Sequence, residues 1–429
     1  MMDFSTKPLS EFVRLSSGGT PAKSNSSYWG GTIPWLTPKD MSQFDGSTQD
    51  SVTDAAIGNG TRLAPIESLF IVVRGMSLHN EIRVVRPMKP MSFNQDIKAI
   101  LAKEGVNERF IYYAIQAKVP ELLSAVEAAG HGTGRLPTDR LEGLQIPDLL
   151  PHEQCAIAST FGALDDKIEL NRRMNETLEA MVGAIFKDWF VNFGPTRAKM
   201  EGRAPYLASE TWDLFPDKLD DEGKPEGWGI FKLDQIADYC KGSVSPSNDP
   251  EEVFEHYSIP AFDKGEQPSI DIGQSIKSNK TPVPADVVLL SKLNPEKSRV
   301  WIPNPPSGTV QVTSTEFLVY RPKSAVGRGG LYSLFKSDSF KKMLEGMVTG
   351  TSKSHQRISP PALLKSDVIT GAASLFEEFE SVVAPLIERS LSNRSEKMTL
   401  DRTRDLLLPR LMSGVIRVTD AQELAEEVI

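Results

Sequence analysis

The chain has 429 residues, 39% hydrophobic and 24% charged, the profile of a soluble globular protein with room for two to four domains. Its net charge of −9 excludes a protein coated with positive charge. Two cysteines, Cys155 and Cys240, offer neither a disulfide framework nor a zinc site. The start of the chain lacks the apolar stretch of a signal peptide and no apolar run could span a bilayer, so a cytoplasmic protein with no membrane contact is expected.

Residues 1–150 read as a mixed α and β body. Short β-rich runs such as Ser68-Leu69-Phe70-Ile71-Val72-Val73 alternate with Gly, Pro, Ser and Asn turns. A helix is predicted over 108–129, where Phe110, Tyr113, Ala114, Ala117 and Leu122 share a face. Pro151 then opens a long helix over 151–192. Its apolar seam is Ile157, Phe161, Leu164, Ile168, Asn171, Asn175, Leu178, Val182, Ile185 and Trp189, in alternating steps of four and three. The polar, Pro-rich and acidic stretch 193–227 reads as an exposed connector. A second mixed body follows over 228–372, with β-rich Asp286-Val287-Val288-Leu289-Leu290 and a helix predicted at 332–348. A second long helix covers 373–412 with seam residues Phe379, Val383, Leu386, Leu400, Leu407 and Leu411, its first turns open to a kink at Pro385. Residues 413–429 form a tail.

The chain is written twice. A shift of 222 lays Arg135-Leu136 on Arg357-Ile358, Leu141 on Leu363 and Ile146 on Val368 without a gap. The match continues through Leu164 on Leu386, Asn171-Arg172 on Asn393-Arg394, and Thr177-Leu178 on Thr399-Leu400. Each long helix would have roughly 38 residues, hence about 57 Å at 1.5 Å per residue. Both seams turn polar at the same relative place, Asn171 and Asn175 in one and Asn393 and Lys397 in the other. An antiparallel pair would bring these layers together, where buried Asn fixes register at a cost in stability. The competing reading is two separate amphipathic helices, each packed on its own body.

No catalytic motif stands up. Asn304-Pro305-Pro306-Ser307 is similar to the Asn-Pro-Pro-aromatic loop of adenine methyltransferases, but serine replaces the ring and no glycine-rich cofactor loop lies upstream, so a Pro-rich hairpin turn is the better reading. Gly130-His131-Gly132-Thr133-Gly134 follows the predicted helix and has no Lys-Ser/Thr pair, so it reads as a C-cap and loop and not a phosphate cradle. Glu296-Lys297 has no nuclease partner, and the five histidines show no metal-ligand spacing. An enzyme is not expected, nor is a cofactor or metal in this chain.

Two divergent bodies, each followed by a similar long helix, resemble the specificity subunit of a Type I restriction–modification system. Ile33-Pro34-Trp35-Leu36 with Lys39-Asp40 resembles the opening segment of that family, and Phe93-Asn94-Gln95-Asp96-Ile97 its mid-domain strand. Gly134-Arg135-Leu136 leading to Ile146-Pro147 resembles the end of its recognition domain. The ordered landmarks Asp188-Trp189-Phe190-Val191-Asn192-Phe193, Lys199-Met200-Glu201-Gly202, Leu214-Phe215-Pro216 and Pro225-Glu226-Gly227-Trp228 resemble its central conserved region. The second body departs more, with no tryptophan in Ser258-Ile259-Pro260-Ala261 and no Asn-Gln pair at Val312-Thr313-Ser314.

The resemblance implies an α+β fold of two tandem target-recognition domains, each followed by a long helix, the helices pairing as an antiparallel coiled coil. Each body would read one half of a bipartite double-stranded DNA target, with the helices acting as a ruler. Partners would be two modification subunits carrying S-adenosylmethionine and restriction subunits using ATP, with all chemistry on those partners. Phosphate contacts supply affinity and base-edge contacts supply choice, which favours Lys, Arg, Asn and Gln. The DNA-contact candidates in the first body are Lys23, Tyr28, Trp29, Lys39, Arg74, Asn94, Gln95 and Arg135. In the second they are Lys241, Asn248, Lys264, Lys292, Asn294, Arg299, Lys353, His355 and Arg357. Most lone cations are solvated surface groups, Trp29 is equally readable as core, and the repeat-matched Arg135 and Arg357 are equally readable as a shared structural contact. The helix-pair interface is expected to use Ile157, Phe161, Leu164, Ile168, Asn171, Leu178, Val182, Ile185 and Trp189 against Val383, Leu386, Asn393, Leu400, Leu407 and Leu411. Two rival readings are a single-chain methyltransferase with its own recognition region and a coiled-coil adaptor that binds no DNA.

Overall fold

The computed structural model describes residues 5–306, 308–348 and 356–428. The chain divides into two units, one made of residues 1–169 with 399–429 and the other of 170–398. The first unit opens with β1 (Thr6–Pro8), β2 (Val13–Ser17), β3 (Trp29–Leu36), β4 (Asp50–Val52) and β5 (Leu63–Ala64). Then come β6 (Leu69–Val72), β7 (Arg74–Gly75), β8 (Val84–Val85), β9 (Met91–Phe93) and β10 (Ile97–Ala102). After α1 (Glu108–Ala117) and α2 (Val119–Ser124) run β11 (Glu127–Ala129), β12 (Thr133–Arg135), α3 (Thr138–Glu142) and β13 (Gln145–Pro147).

One four-stranded antiparallel sheet has the order β2-β10-β6-β8, and a second has the order β4-β3-β9-β5 with β3 and β9 parallel. All four residues of β6 are buried, which is why this segment reads as a continuous apolar run and not an alternating one. β1 pairs with β13, and β7 joins the β11–β12 hairpin.

The long helix α4 (Pro151–Phe186) ends in a π-helical turn at Lys187–Val191. The second unit continues with α5 (Gly194–Met200), α6 (Ser209–Trp212), β14 (Gly229–Lys232), α7 (Leu233–Ile236), β15 (Ala237–Cys240) and β16 (Val253–Tyr257). Then come α8 (Ile259–Asp263), β17 (Ser269–Ile272), β18 (Thr281–Pro282), β19 (Val288–Ser291), β20 (Val300–Trp301), β21 (Val310–Thr313) and β22 (Phe317–Pro322). α9 (Gly327–Lys336), α10 (Asp338–Gly346), α11 (Pro360–Leu364) and β23 (Asp367–Gly371) lead into the long α12 (Ala373–Met412), and α13 (Val418–Glu426) closes the chain.

The internal repeat holds at the level of topology. The sheets β15-β22-β19-β20, β17-β16-β21-β18 and β14-β23 reproduce the orders of the first body, down to the parallel pair β16–β21. The sequence bodies had diverged almost beyond matching, yet each sheet of the first except the β11–β12–β7 ribbon has its counterpart.

Several local expectations are corrected. The helix predicted over 108–129 breaks at Lys118, because Pro120 in the first turn of α2 lacks an N–H and restricts the residue before it. The helix predicted at 332–348 begins earlier, at Gly327, and breaks at Ser337, whose hydroxyl caps α10 by accepting from Phe340 N at 3.3 Å. Gly130–Gly134 is not a helix C-cap loop, since α2 has already stopped at Ser124; it joins the strands of the β11–β12 hairpin. Phe93–Ile97 is not one strand but the turn between β9 and β10.

The stretch 193–227 is exposed at most of its charged residues and at Tyr206, but not throughout. Trp212, Phe215 and the adjacent Trp228 are buried, with Phe215 and Trp228 in one core with Trp189, Phe190, Phe376 and Phe379. The tail carries α13, whose Ala421 and Ala425 are buried against the first unit's core. Pro385 lies within α12, which runs on without a break.

Within the second unit the two long helices run antiparallel. Asn171 Nδ2 donates to Glu396 Oε2 at 2.8 Å, Asn393 Nδ2 to Asn175 Oδ1 at 2.9 Å, and Phe186 meets Phe379 at 5.7 Å between ring centroids. The polar layers expected to meet therefore do so, with Asn171 and Asn393 each 1% exposed. Within the first unit Ile157, Phe161 and Leu164 share a core with Leu400, Leu407 and Leu411. Val182, Trp189 and Val383 are buried in the second, with Ile185 and Leu386 half-buried against that core; Ile168 is packed likewise in the first unit, and Leu178 is half-buried. The π-helical turn explains a shift of seam: its extra residue per turn lets consecutive Trp189 and Phe190 both face inward.

Candidate nucleic-acid interface

In the first body one turn gathers four of the candidates. Asn94 N donates to Leu36 O at 3.0 Å and Ile97 N to Asn94 O at 3.4 Å, which closes the turn Asn94-Gln95-Asp96 between β9 and β10. The Asn94 side chain is 7% exposed and its Oδ1 accepts from Asp96 N at 3.0 Å, so this residue shapes the turn and is not presented outward. Gln95 is exposed, and Thr20 Oγ1 donates to its Oε1 at 2.6 Å. That bond ties in the loop Gly18-Gly19-Thr20, close to exposed Lys23. A Cβ on Gly18 would lie 2.2 Å from Phe93 O and 2.3 Å from Asn94 O, so only glycine lets the loop approach the turn.

Asp96 O also accepts from Val73 N at 2.8 Å and Arg74 N at 3.3 Å. Arg74 on β7 stands directly opposite Arg135 on β12, and both are exposed. Burial raises the Asp96 carboxyl above its ordinary pKa, and the Arg74 guanidinium partly offsets that.

The second body builds the same frame from different side chains. Ser314 N donates to Tyr257 O, Phe317 N to Ser314 O, and Lys292 N to Glu316 O at 2.9 Å, so Ser314-Thr315-Glu316 occupies the place of Asn94-Gln95-Asp96. Leu293 forms a bridge with Arg357, as Arg74 does with Arg135. Here the arginine is held: Arg357 Nη2 lies 2.8 Å from Glu316 Oε1 and its Nε 3.2 Å from Oε2. Asn294, next to Leu293, takes a left-handed φ of 51° and its N donates to Gln356 O. The repeat match of Arg135 with Arg357 thus reflects a shared backbone position with different side-chain partners.

The remaining candidates scatter. Arg299 is 6% exposed and makes a bidentate pair with Asp263 at 2.7 and 2.9 Å, a structural role that removes it from any surface contact. Trp29 packs edge-on against Trp35 at 5.0 Å and its Nε1 donates to Ala22 O; it and Tyr28 are half-buried around Trp35, Val52 and Ala56. Lys39 is exposed and reaches Gln49. Lys241 lies 5.8 Å from the centroid of the Tyr239 ring; Asn248 and Lys264 are exposed, and Lys292 is half-buried. Lys353 and His355 lie outside the described residues. Sequence reasoning missed Thr20, Asp96 and Glu316; the one signal was a carboxylate ending the equivalent turn in both bodies.

Asn304-Pro305-Pro306 is a structural turn, as Asn304 N donates to the Tyr257 hydroxyl at 2.9 Å and its carbonyl accepts from Gln311. Among the described residues there is no cluster of His, Cys, Asp and Glu able to hold a metal, and no helix long and apolar enough to cross a membrane.

Each unit also carries a groove between a long helix and the helix that follows its main sheet. In the first unit about 260 Å³ is lined by Tyr113, Ala117, Pro120, Arg404, Asp405 and Leu408. In the second about 230 Å³ is lined by Val182, Gly183, Phe186, Tyr332, Lys336 and Ser339. The shift of 222 carries Val182, Gly183 and Phe186 onto Arg404, Asp405 and Leu408, so the grooves are repeat-equivalent. Beside the second, Arg394 joins Glu179 at 2.9 Å and Glu266 at 2.8 Å, and Lys336 lies 3.3 Å from Glu179. Burial would raise the Glu179 carboxyl, but Lys336 and Arg394 outweigh it and hold it below its ordinary range. For Glu266 burial dominates and its pKa is raised.

Residues 1–180 match the family profile described as the Type I restriction modification DNA specificity domain. The chain is 27% identical over 433 residues to the MjaIX Type I restriction enzyme specificity subunit of Methanocaldococcus jannaschii, covering 97% of this chain and 94% of that one. It is 31% identical over 162 residues to the EcoR124I/EcoR124II specificity subunit of Escherichia coli, covering 37% of this chain and 40% of the other. The crystal structure of a Type I restriction–modification S subunit from M. genitalium shares the fold, with a TM-score of 0.54 at 13% identity and 96% of each chain covered.

Proposed function

The chain belongs to the family of Type I restriction–modification DNA specificity subunits, and from that premise we propose that it reads a bipartite double-stranded DNA target, one half with each body. The observation that carries this reading is the repeated turn: two bodies of divergent sequence keep one backbone frame and change only the side chains that it displays. A reader of two different half-sites needs a constant scaffold with variable donors and acceptors. On this reading Gln95, Arg74, Arg135 and Lys23 contact the first half-site, and Lys292 and Asn294 the second, with Arg357 held by Glu316. Their neighbours Asn94 and Arg299 hold the frame. The long helices set the spacing between the half-sites.

The chain is non-catalytic. Adenine methylation, with S-adenosylmethionine, belongs to two modification subunits, and ATP-driven restriction to separate subunits that join them in the cytoplasm. Two repeat-equivalent grooves of similar volume support a pair of identical partners, since equivalent surfaces take equivalent ligands.

The test is selection of a randomised duplex library by the chain assembled with its methyltransferase subunit. Two short motifs enriched at one fixed spacing are expected. One contiguous motif would mean that a single body reads DNA. No enrichment from a stable complex would leave only an adaptor.

A further inference from the structure

We infer that the two bodies grip the DNA backbone unequally: the first does so through a cationic pair, Arg74 with Arg135, whereas in the second the equivalent arginine, Arg357, is neutralised by Glu316. The inference rests on the DNA-reading function proposed above and concerns how that function is divided.

The comparison is between positions fixed by backbone hydrogen bonds. Val73 N donates to Asp96 O at 2.8 Å and Leu136 N to Val73 O at 2.9 Å; Lys292 N donates to Glu316 O at 2.9 Å and Ile358 N to Lys292 O at 3.1 Å. Arg74 therefore corresponds to Leu293, Asp96 to Glu316, and Arg135 to Arg357. The first triad holds two cations and one carboxylate, net +1, whereas the second holds one of each, net zero. Like charges directly opposite on a ladder repel, so the Arg74–Arg135 pair is unfavourable unless an anion sits between them. Asp96 offsets the charge of Arg74, and no ion-pair partner of Arg135 is found among the described residues. A DNA phosphate supplies the missing anion, accepting from both guanidinium groups. In the second triad Arg357 already makes two bonds to Glu316, so a phosphate would have to displace a carboxylate. Lys292 takes the place of Val73, one residue before Leu293, and is half-buried.

Backbone contacts are read in the salt dependence of binding, because each neutralised phosphate steepens the slope of log K against log salt by about 0.9. The experiment measures binding of random-sequence duplex DNA to the full chain assembled with its methyltransferase subunit, between about 50 and 200 mM salt. Arg135→Gln should flatten the slope by about 0.9, which changes the affinity ratio to wild type about 3.5-fold across that range. Arg357→Gln should leave the slope unchanged, and Glu316→Gln, which removes the carboxylate charge beside Arg357, should steepen it. Leu293→Arg should steepen it too, by rebuilding the first body's pair in the second. Matching thermal midpoints ensure that folded proteins are compared. Equal flattening by Arg135→Gln and Arg357→Gln, or no response to Glu316→Gln and Leu293→Arg, overturns the inference while leaving the DNA reader intact. Absence of DNA binding by the wild-type complex overturns both.

Discussion

Replacing Arg394 with Met removes the cation from a buried cluster while keeping most of its apolar stem. Arg394 is 12% exposed at its side chain, and it bridges Glu179, 29% exposed, and Glu266, 23% exposed. After the substitution Lys336 still neutralises Glu179 at 3.3 Å, but Glu266 loses the only ion-pair partner found for it among the described residues. Breaking a buried pair from one side costs about 3–5 kcal/mol, and the partial exposure of both carboxylates places this case near 3. The loss depends on pH with a definite sign. The pKa of Glu266 is already raised above its ordinary 4.5 by burial, and losing Arg394 raises it further. A carboxyl with a raised folded pKa costs stability above that pKa and stops costing it below the unfolded value. The difference between wild type and variant should therefore be full at neutral pH and shrink as pH falls toward 4.5. Denaturant unfolding of the full chain, followed by tryptophan emission, reads this through the buried Trp189, Trp212 and Trp228. Adding Glu266→Gln to the variant should recover most of the loss. A loss below about 1 kcal/mol that does not change with pH would refute the reasoning, because it would equate the cluster with exposed pairs.

Asn393→Leu leaves the Asn175 amide without its buried partner and should cost about 1–3 kcal/mol in the same unfolding assay. The double change Asn175→Leu with Asn393→Leu should recover stability, but partner assembly followed by light scattering should become heterogeneous as the register loosens. Arg299→Ala should lower the thermal midpoint, by exposing Asp263 to the loss of a bidentate pair, and should leave the selected DNA motif unchanged; a changed motif with an unchanged midpoint would restore Arg299 to the interface.

The features legible in the sequence were those written in local periodicity. The seam at Ile157, Phe161 and Leu164, the polar layer at Asn171 and Asn393, and the bounds of α12 all follow from spacing along one helix. Breaks at Pro120 and Ser337 were readable in principle, since proline and serine act on their own turn, but the apolar face on either side outweighed them. The polar character of 193–227 misled differently: an average over the stretch hides Trp212 and Phe215, single residues that decide its burial.

The sequence by itself determined that there are two bodies, two long helices and a shared register, because a repeat and a heptad are carried by nearest neighbours. Only the tertiary structure decided which cations face outward. The parallel pairing of β3 with β9, the meeting of Arg74 with Arg135, and the capture of Arg299 by Asp263 and of Arg357 by Glu316 join residues far apart in the chain. No local pattern encodes such contacts, since they depend on how strands close into sheets, and an arginine reads the same in sequence whether solvent or a carboxylate surrounds it.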